Sequence, residues 1–248
     1  MGRFENKNVV LTGAASGIGR ATALRFAAEG AKVFAIDRNA EGLAETVAGA
    51  EGDAIITHVA DLSDEQALVD AAAAAVQEFG TVDVLANVAG FLRVTPLDTV
   101  TSADYEDMWR VNFLAPALMC RELVPALPDN TGVIVNVCSV SATKAHPYMT
   151  SYAASKGALL AYSLSLAAEL GGRRIRVVPV SPGGVITPLT QSSEGLAGLD
   201  TSHYARTFPL WGEMGTPEEI AAGITFAASP EASYLNGFEV RLDGGSHV

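Results

Sequence analysis

Residues 11–19 read LTGAASGIG, directly after Val9 and Val10 and just ahead of a stretch with helical character. Glycine at 13, 17 and 19 removes three side chains from one turn, so something has to come close to this backbone. A strand, a Gly-rich turn and a helix start form a site for anionic phosphate, because the first turn of a helix presents unpaired N–H groups and a partial positive charge. The spacing Gly13-x3-Gly17-x-Gly19 is neither the G-x-G-x-x-G fingerprint nor a P-loop, since no Gly-Lys-Ser/Thr follows. The next strand closes on Asp37, eighteen residues beyond Gly19, where a carboxylate accepts hydrogen bonds from ribose hydroxyls. The stretch therefore predicts a dinucleotide whose pyrophosphate rests on the turn and whose adenosine ribose meets Asp37.

On either side of this turn, short β-branched runs alternate with longer Ala-rich segments. Strands are predicted at 8–13, 32–37, 54–61, 82–90, 133–140, 174–183 and 238–245, and helices at 17–29, 40–50, 63–80, 103–127, 151–170 and 217–228. Ser63, with Gln66 three residues on, reads as the N-cap of the third helix. Strands joined by helical crossovers are parallel, and right-handed crossovers cover both faces of the sheet. The expected fold is α/β: a doubly wound parallel sheet of about seven strands with helices on both faces, one domain over residues 1–248. Residues 184–216 break the rhythm, mixing Gly, Pro and Ser with Leu, Tyr, Phe and Trp at no sustained period. A loop of that length inside a compact domain is usually functional, and its aromatic content argues against disorder, so it reads as a lid.

The 248 residues are 49% hydrophobic, enough for one well-buried core. A formal net charge of -12 disfavours a nucleic-acid partner, since affinity for a phosphate backbone comes from Lys and Arg. The start, MGRFENKNVVLTG, has no long apolar run with a cleavage site, and no segment reaches the roughly 18 uninterrupted apolar residues of a membrane span. Neither export by that route nor membrane insertion is expected. Cys120 and Cys138 stand in apolar surroundings and read as buried reduced thiols, in keeping with a cytoplasmic location. His58, His203 and His247 show no metal-ligand spacing, and there is no H-E-x-x-H or Cys cluster, so no catalytic metal is expected.

A second constellation lies in SYAASKGA, residues 151–158. Tyr152 and Lys156 are four apart at a helix start, so both project from one face. A free tyrosine is a poor base at neutral pH, and a fixed cation favours phenolate, which turns the phenol into a usable acid or base. Ser139 ends the predicted strand VIVNVCS, where ligands of open α/β sheets meet side chains.

TGAASGIG, the NVAG of 87–90, Asn112, Ser139, the Tyr152-x-x-x-Lys156 pair and the PGGVIT of 182–187 together resemble the short-chain dehydrogenase/reductase family, in order and over almost the entire chain. The resemblance implies a Rossmann-like fold and an oxidoreductase that moves hydride between NAD(H) and a secondary alcohol or ketone. It further implies that Tyr152 transfers the substrate proton, Lys156 holds the nicotinamide ribose and lowers the tyrosine pKa, Ser139 hydrogen-bonds the reacting oxygen and Asn112 anchors a proton-relay water. On the same footing the cofactor contacts are Gly13, Ser16, Gly17, Ile18, Gly19, Asp37, Asp61, Leu62, Asn87, Ala89, Gly90, Tyr152, Lys156, Pro182, Gly183, Ile186 and Thr187, with Asp61 at the adenine and Ile186 and Thr187 at the carboxamide. Val88, Val178 and Asn236-Gly237 depart from the family pattern at positions that carry no chemistry.

Asp37 points to NAD over NADP, because its carboxylate faces the 2'-phosphate as a like charge. Arg38 is the counterargument, while Ser16 leaves the other usual basic position neutral. The alternatives are an NADPH-linked 3-oxoacyl thioester (acyl-carrier-protein) reductase and, more remotely, a cofactor-sensing protein without turnover, which has no need of Tyr152, Lys156, Ser139 and Asn112 together. His146 and Arg93 are candidate substrate contacts, each with a structural reading beside it: a loop histidine and a surface ion pair. Excess apolar residues on the helices at 103–127 and 152–170 point to helix-to-helix assembly, and the family implies a homotetramer.

Overall fold

The structure is a computed structural model that describes residues 2–191 and 198–248; Met1 and residues 192–197 of the expected lid lie outside it. Seven parallel strands form one sheet: β1 (Asn8–Thr12), β2 (Lys32–Asp37), β3 (Ile55–Val59), β4 (Val84–Asn87), β5 (Val133–Val137), β6 (Arg176–Pro182) and β7 (Val240–Leu242), in the order β3-β2-β1-β4-β5-β6-β7. β1 lies at the point where the order reverses, pairing with β2 through Val9↔Val33 and with β4 through Val9↔Val84.

The period-2 alternation of each strand sorts its side chains between two cores. Val9, Leu11, Val33, Val133 and Val135 pack with Phe26, Ile220 and Ile224 on one face. Val10, Phe34, Leu85 and Ile134 pack with Leu68, Met119 and Leu123 on the other. The first face is covered by α1 (Gly17–Ala28), α2 (Ala40–Ala48) and α8 (Pro217–Ala228), and the second by α3 (Glu65–Phe79), α5 (Ala115–Leu123) and α6 (Thr150–Glu169). No helix of the described residues is long and apolar enough to cross a membrane.

Three local expectations need correction. α3 starts one residue later than the Ser63 reading requires: Asp64 is the N-cap, its carboxylate accepting from the N–H groups of Gln66 and Ala67. A carboxylate two residues before the first free N–H is a stronger acceptor near a helix N-terminus than a hydroxyl three before it. The helix expected over 103–127 is divided into α4 (Ser102–Trp109), a π-helical turn at Arg110–Leu114 and α5, which closes in a 3-10 turn at Val124–Ala126. The extra residue of the π turn has no signature in hydrophobic period, so the sequence reads as one helix.

The segment expected as an unperiodic lid has two short helices among its described residues, α7 (Pro188–Gln191) and a 3-10 turn at Thr201–Thr207. Its described part is docked at two places. The Tyr148 hydroxyl donates to Asp200 O (3.1 Å) and that of Tyr204 to Pro147 O (3.0 Å), while Leu210 N donates to Gly244 O (2.9 Å).

Candidate active site

Where the sheet order reverses, the crossovers leave to opposite faces and a crevice opens beyond the strand C-termini. A cleft of about 680 Å³ occupies that place. Of the expected cofactor contacts, Gly13, Ser16, Gly17, Ile18, Gly19, Asp37, Asp61, Leu62, Ala89, Gly90 and Thr187 line it. Sequence reading missed Ser63, Phe91, Asp107, Arg110, Val111 and Leu189, which also line it; Ser63 and Phe91 lie in connections and the others on α4, the π turn and α7, whose placement over the cleft no local period encodes.

The three glycines of the turn answer first to the protein itself. A Cβ on Gly13, whose φ is +77°, lies 2.7 Å from Ala89 Cα, one on Gly19 lies 1.8 Å from the carbonyl oxygen of Gly13, and one on Gly17 lies 3.2 Å from Thr187 Cγ2. The expectation that a pyrophosphate alone demands them is thus corrected: close approach of β1, β4 and α1 already requires two of the three. The turn nonetheless suits an anion. Ser16 does not cap α1 with its side chain, so the first-turn N–H groups, at residues that line the cleft, have no side-chain acceptor.

At the end of β2, Asp37 accepts from Ala15 N and Asn39 N, each at 3.0 Å. Each carboxylate oxygen retains a further lone pair for a ribose hydroxyl. Arg38 is largely exposed, 4.0 Å from Asp61 across the cleft mouth. Asp61 is held below the usual carboxylate range chiefly by the backbone N–H of Ser63, with Arg38 a lesser contributor.

At the inner end, the four expected catalytic residues come together. Ser139, two residues beyond β5, caps the short helix Val140–Ala142, its hydroxyl oxygen accepting from Ser141 N (3.2 Å) and Ser141 Oγ (3.0 Å). Lys156 is buried and donates to Val137 O (2.8 Å). Asn112, in the π turn, is fully buried: Oδ1 accepts from Phe91 N (2.9 Å), and Nδ2 donates to Phe91 O (2.9 Å) and Ser155 Oγ (3.1 Å). Both converge on Gly90, where a Cβ stands 3.1 Å from Asn112 Oδ1 and 3.2 Å from Lys156 Nζ. The Asn112 side chain therefore clamps the cleft floor, its two amide protons already used.

The electrostatics reverse one expectation. Burial pushes the Tyr152 phenol up to about 12, with the Ser139 hydroxyl opposing the rise, and burial pulls Lys156 down to about 8. The Lys156 cation is not what moves the phenol: its ammonium is directed to the Val137 carbonyl, and desolvation outweighs the i, i+4 pairing that the spacing alone implies.

Several expected contacts stand elsewhere. Asn87 is turned into the second core, donating to Asn136 Oδ1 (2.9 Å), and Asn136 in turn donates to Ser163 Oγ (2.9 Å) on α6. Pro182 and Gly183 end β6, and the glycine leaves room for Asp243, whose Cα is 2.8 Å from a Cβ built there. Ile186 is exposed, with its N–H bonded to Gly215 O. Arg93 lines the cleft but is paired with Asp104 (2.6 Å) and Asp107 (3.4 Å). His146 is half-buried, its Nδ1 2.9 Å from Lys144 O, and burial lowers its pKa. Among the described residues no group of three His, Cys, Asp or Glu could hold a metal ion.

Residues 13–247 match the family model described as enoyl-(acyl carrier protein) reductase. The chain is 39% identical over 246 residues to the 3-oxoacyl-acyl-carrier-protein reductase FabG of Thermotoga maritima, covering 98% of each. It is 37% identical over 250 residues to the D-threitol dehydrogenase of Mycolicibacterium smegmatis, covering 98% of this chain and 94% of that one. The crystal structure of a short-chain dehydrogenase from Burkholderia cenocepacia in complex with NADP matches with a TM-score of 0.90 at 33% identity, over 99% of this chain and 100% of that one. With a reversal-point cleft and a Ser–Tyr–Lys–Asn cluster at its inner end, the chain belongs to the short-chain dehydrogenase/reductase family. It is an NAD(P)-dependent oxidoreductase.

Proposed function

We propose that the enzyme interconverts a small, largely uncharged secondary alcohol and its ketone with NAD(H), using Tyr152 as the acid and base. The observation that carries this reading is the convergence of Asn112 and Lys156 on Gly90 at the cleft floor, with Ser139 beside the phenol. Bound in the cleft, the nicotinamide cofactor supplies or accepts the hydride. Gly17, Ile18 and Gly19 offer N–H groups to its phosphates, Asp37 accepts from its adenosine ribose, and Thr187 and Gly90 border its inner end. Tyr152 gives its proton to the carbonyl oxygen in reduction and takes it back in oxidation, while Ser139 donates a hydrogen bond to that oxygen. Lys156, whose ammonium donates to Val137 O, would hold the nicotinamide ribose.

The choice of NAD rests on charge. A 2'-phosphate about 4 Å from the Asp37 carboxylate is repelled by about 1 kcal/mol in water and about 4 at an intermediate dielectric. One observation favours the second reading, an NADPH-linked 3-oxoacyl thioester reductase: Arg38 is exposed at the cleft mouth with, among the described residues, only a 4.0 Å ionic contact to Asp61 to hold it. The test is a substrate screen over alcohols, sugars, steroids and acyl thioesters that follows absorbance of the reduced nicotinamide with both cofactors. The expected result is a several-fold or greater advantage of NAD in kcat/KM, narrowed by Asp37→Ala mainly through better use of NADP. A tenfold preference of the parent for NADP overturns the NAD assignment and favours the thioester reductase.

A homotetramer agrees with large apolar side chains left exposed on α4 and α6 (Tyr105, Trp109, Leu164) and on α8 and the chain that follows it (Phe226, Tyr234, Phe238). A cytoplasmic location agrees with Cys120 and Cys138, both free and buried, and light scattering of the purified protein tests the assembly.

A further inference from the structure

The last residues of the chain form a small polar knot that the reaction described above does not use. Asp243 Oδ1 accepts from Gly245 N (3.1 Å) and Oδ2 from Ser246 Oγ (3.1 Å). His247 Nδ1 lies 3.4 Å from Asp243 Oδ2, an ionic contact when the ring is protonated and not an aligned hydrogen bond, and Nε2 is 3.0 Å from Thr143 Oγ1. The His247 and Asp243 side chains are only 15% and 10% exposed, unusual for two such polar groups. Thr143 directly follows the short helix that Ser139 opens, its N–H bonded to Val140 O. On its other side the tail is held by the lid. Gly244 and Gly245 have φ of +59° and +78°, and a Cβ on either meets Pro209 (2.7 Å) or Leu210 (2.9 Å). The tail thus joins the Ser139 turn to the described end of the lid.

We propose that His247, oriented by Asp243, is a positioning residue that fixes the Ser139 turn through Thr143 and so holds the Ser139 hydroxyl at the phenol of Tyr152. Ser139 and Thr143 are the N-cap and C-cap of one short helix, Val140–Ala142, so slack at Thr143 is transmitted to the N-cap. The kinetic part of the inference rests on the reading of Ser139 as donor to the reacting oxygen, whereas the mechanical part does not.

The test uses the full-length protein and three variants, His247→Ala, His247→Gln and Thr143→Val. Hydrogen exchange of the segment 139–148, measured on the protein alone, reads the anchor without any turnover. Exchange there should quicken about tenfold in His247→Ala and in Thr143→Val, and the double variant should be no faster than either single one, since both remove one interaction. With a substrate in hand, kcat should fall about tenfold in His247→Ala, as expected for misplacing one catalytic contact, with cofactor Kd within about twofold. His247→Gln, which keeps a group able to bond Thr143, should recover most of both effects. Unchanged exchange in Thr143→Val, an exposed position that leaves the fold intact, overturns the proposal, as does a double variant in which the two effects add. Absence of any nicotinamide-linked turnover in the parent instead removes the functional reading, and the exchange result still decides the anchor.

Discussion

Tyr152 and Lys156 stand four residues apart on α6, and burial moves them in opposite directions, the phenol up to about 12 and the ammonium down to about 8. At neutral pH the phenol is in its acid form, suited to protonating a ketone. Alcohol oxidation needs the phenolate, so its kcat should rise with pH by up to about tenfold per unit below the phenol pKa, while ketone reduction stays flat. Tyr152→Phe should abolish most turnover and leave cofactor affinity nearly unchanged; activity within about threefold of the parent sinks the assignment. Lys156 carries a second consequence. Its folded pKa lies below the unfolded value, so the unfolded chain binds the extra proton between about pH 8 and 10.4, and the penalty on the fold is full below 8 and fades above. Lys156→Met should therefore lose activity yet melt about 2–5 °C above the parent at pH 7, with the gain shrinking by pH 10. Thermal melts at the two pH values check this.

At the level of elements, the strands and most helices were legible because their periods are long and clean, as in the core alternation of Val9, Val10 and Leu11. The α6 pair was legible for the same reason: i, i+4 on a helix fixes a shared face. What the pattern does not encode is the direction in which a side chain is finally drawn. Asn87 and Asn136 lie on neighbouring strands in register, and only that register shows that Asn87 is turned to its neighbour and away from the cleft. The π turn that carries Asn112 and the Asp64 cap hid from the sequence because each shifts a boundary by a residue or so. The cap can be checked directly. Asp64→Ala should cost about 1 kcal/mol, and Ser63→Ala only a few tenths, in denaturant titrations monitored by circular dichroism.

For the whole molecule, the reversal of strand order beside β1 places the cleft, and Thr187, Pro188 and Leu189 of the 184–216 segment line it. The exposed Phe208, Leu210 and Trp211 are suited to covering an apolar substrate, so residues 198–214 should gain hydrogen-exchange protection when NAD and substrate are both bound. Equal protection with and without ligands counts against a closing lid. The long connection was recognisable from its composition as a break in the alternation, but its docking on Pro147 and Gly244 depends on contacts between distant parts of the chain. The place of β1 beside the reversal also governs how the chain is born. β1 gains β2 early, yet its second partner arrives only at Val84, and β5 to β7 follow over the remaining half of the sequence. During synthesis the emerging N-terminal half therefore presents one flank of β1 unpaired until about 75 further residues have been made, a state prone to sticking to other chains. Folding dominated by such distant pairings belongs to the slow regime of milliseconds to seconds. The strand that anchors the cofactor turn is thus the first made, yet it is enclosed only after β2, which has both its neighbours by Val59.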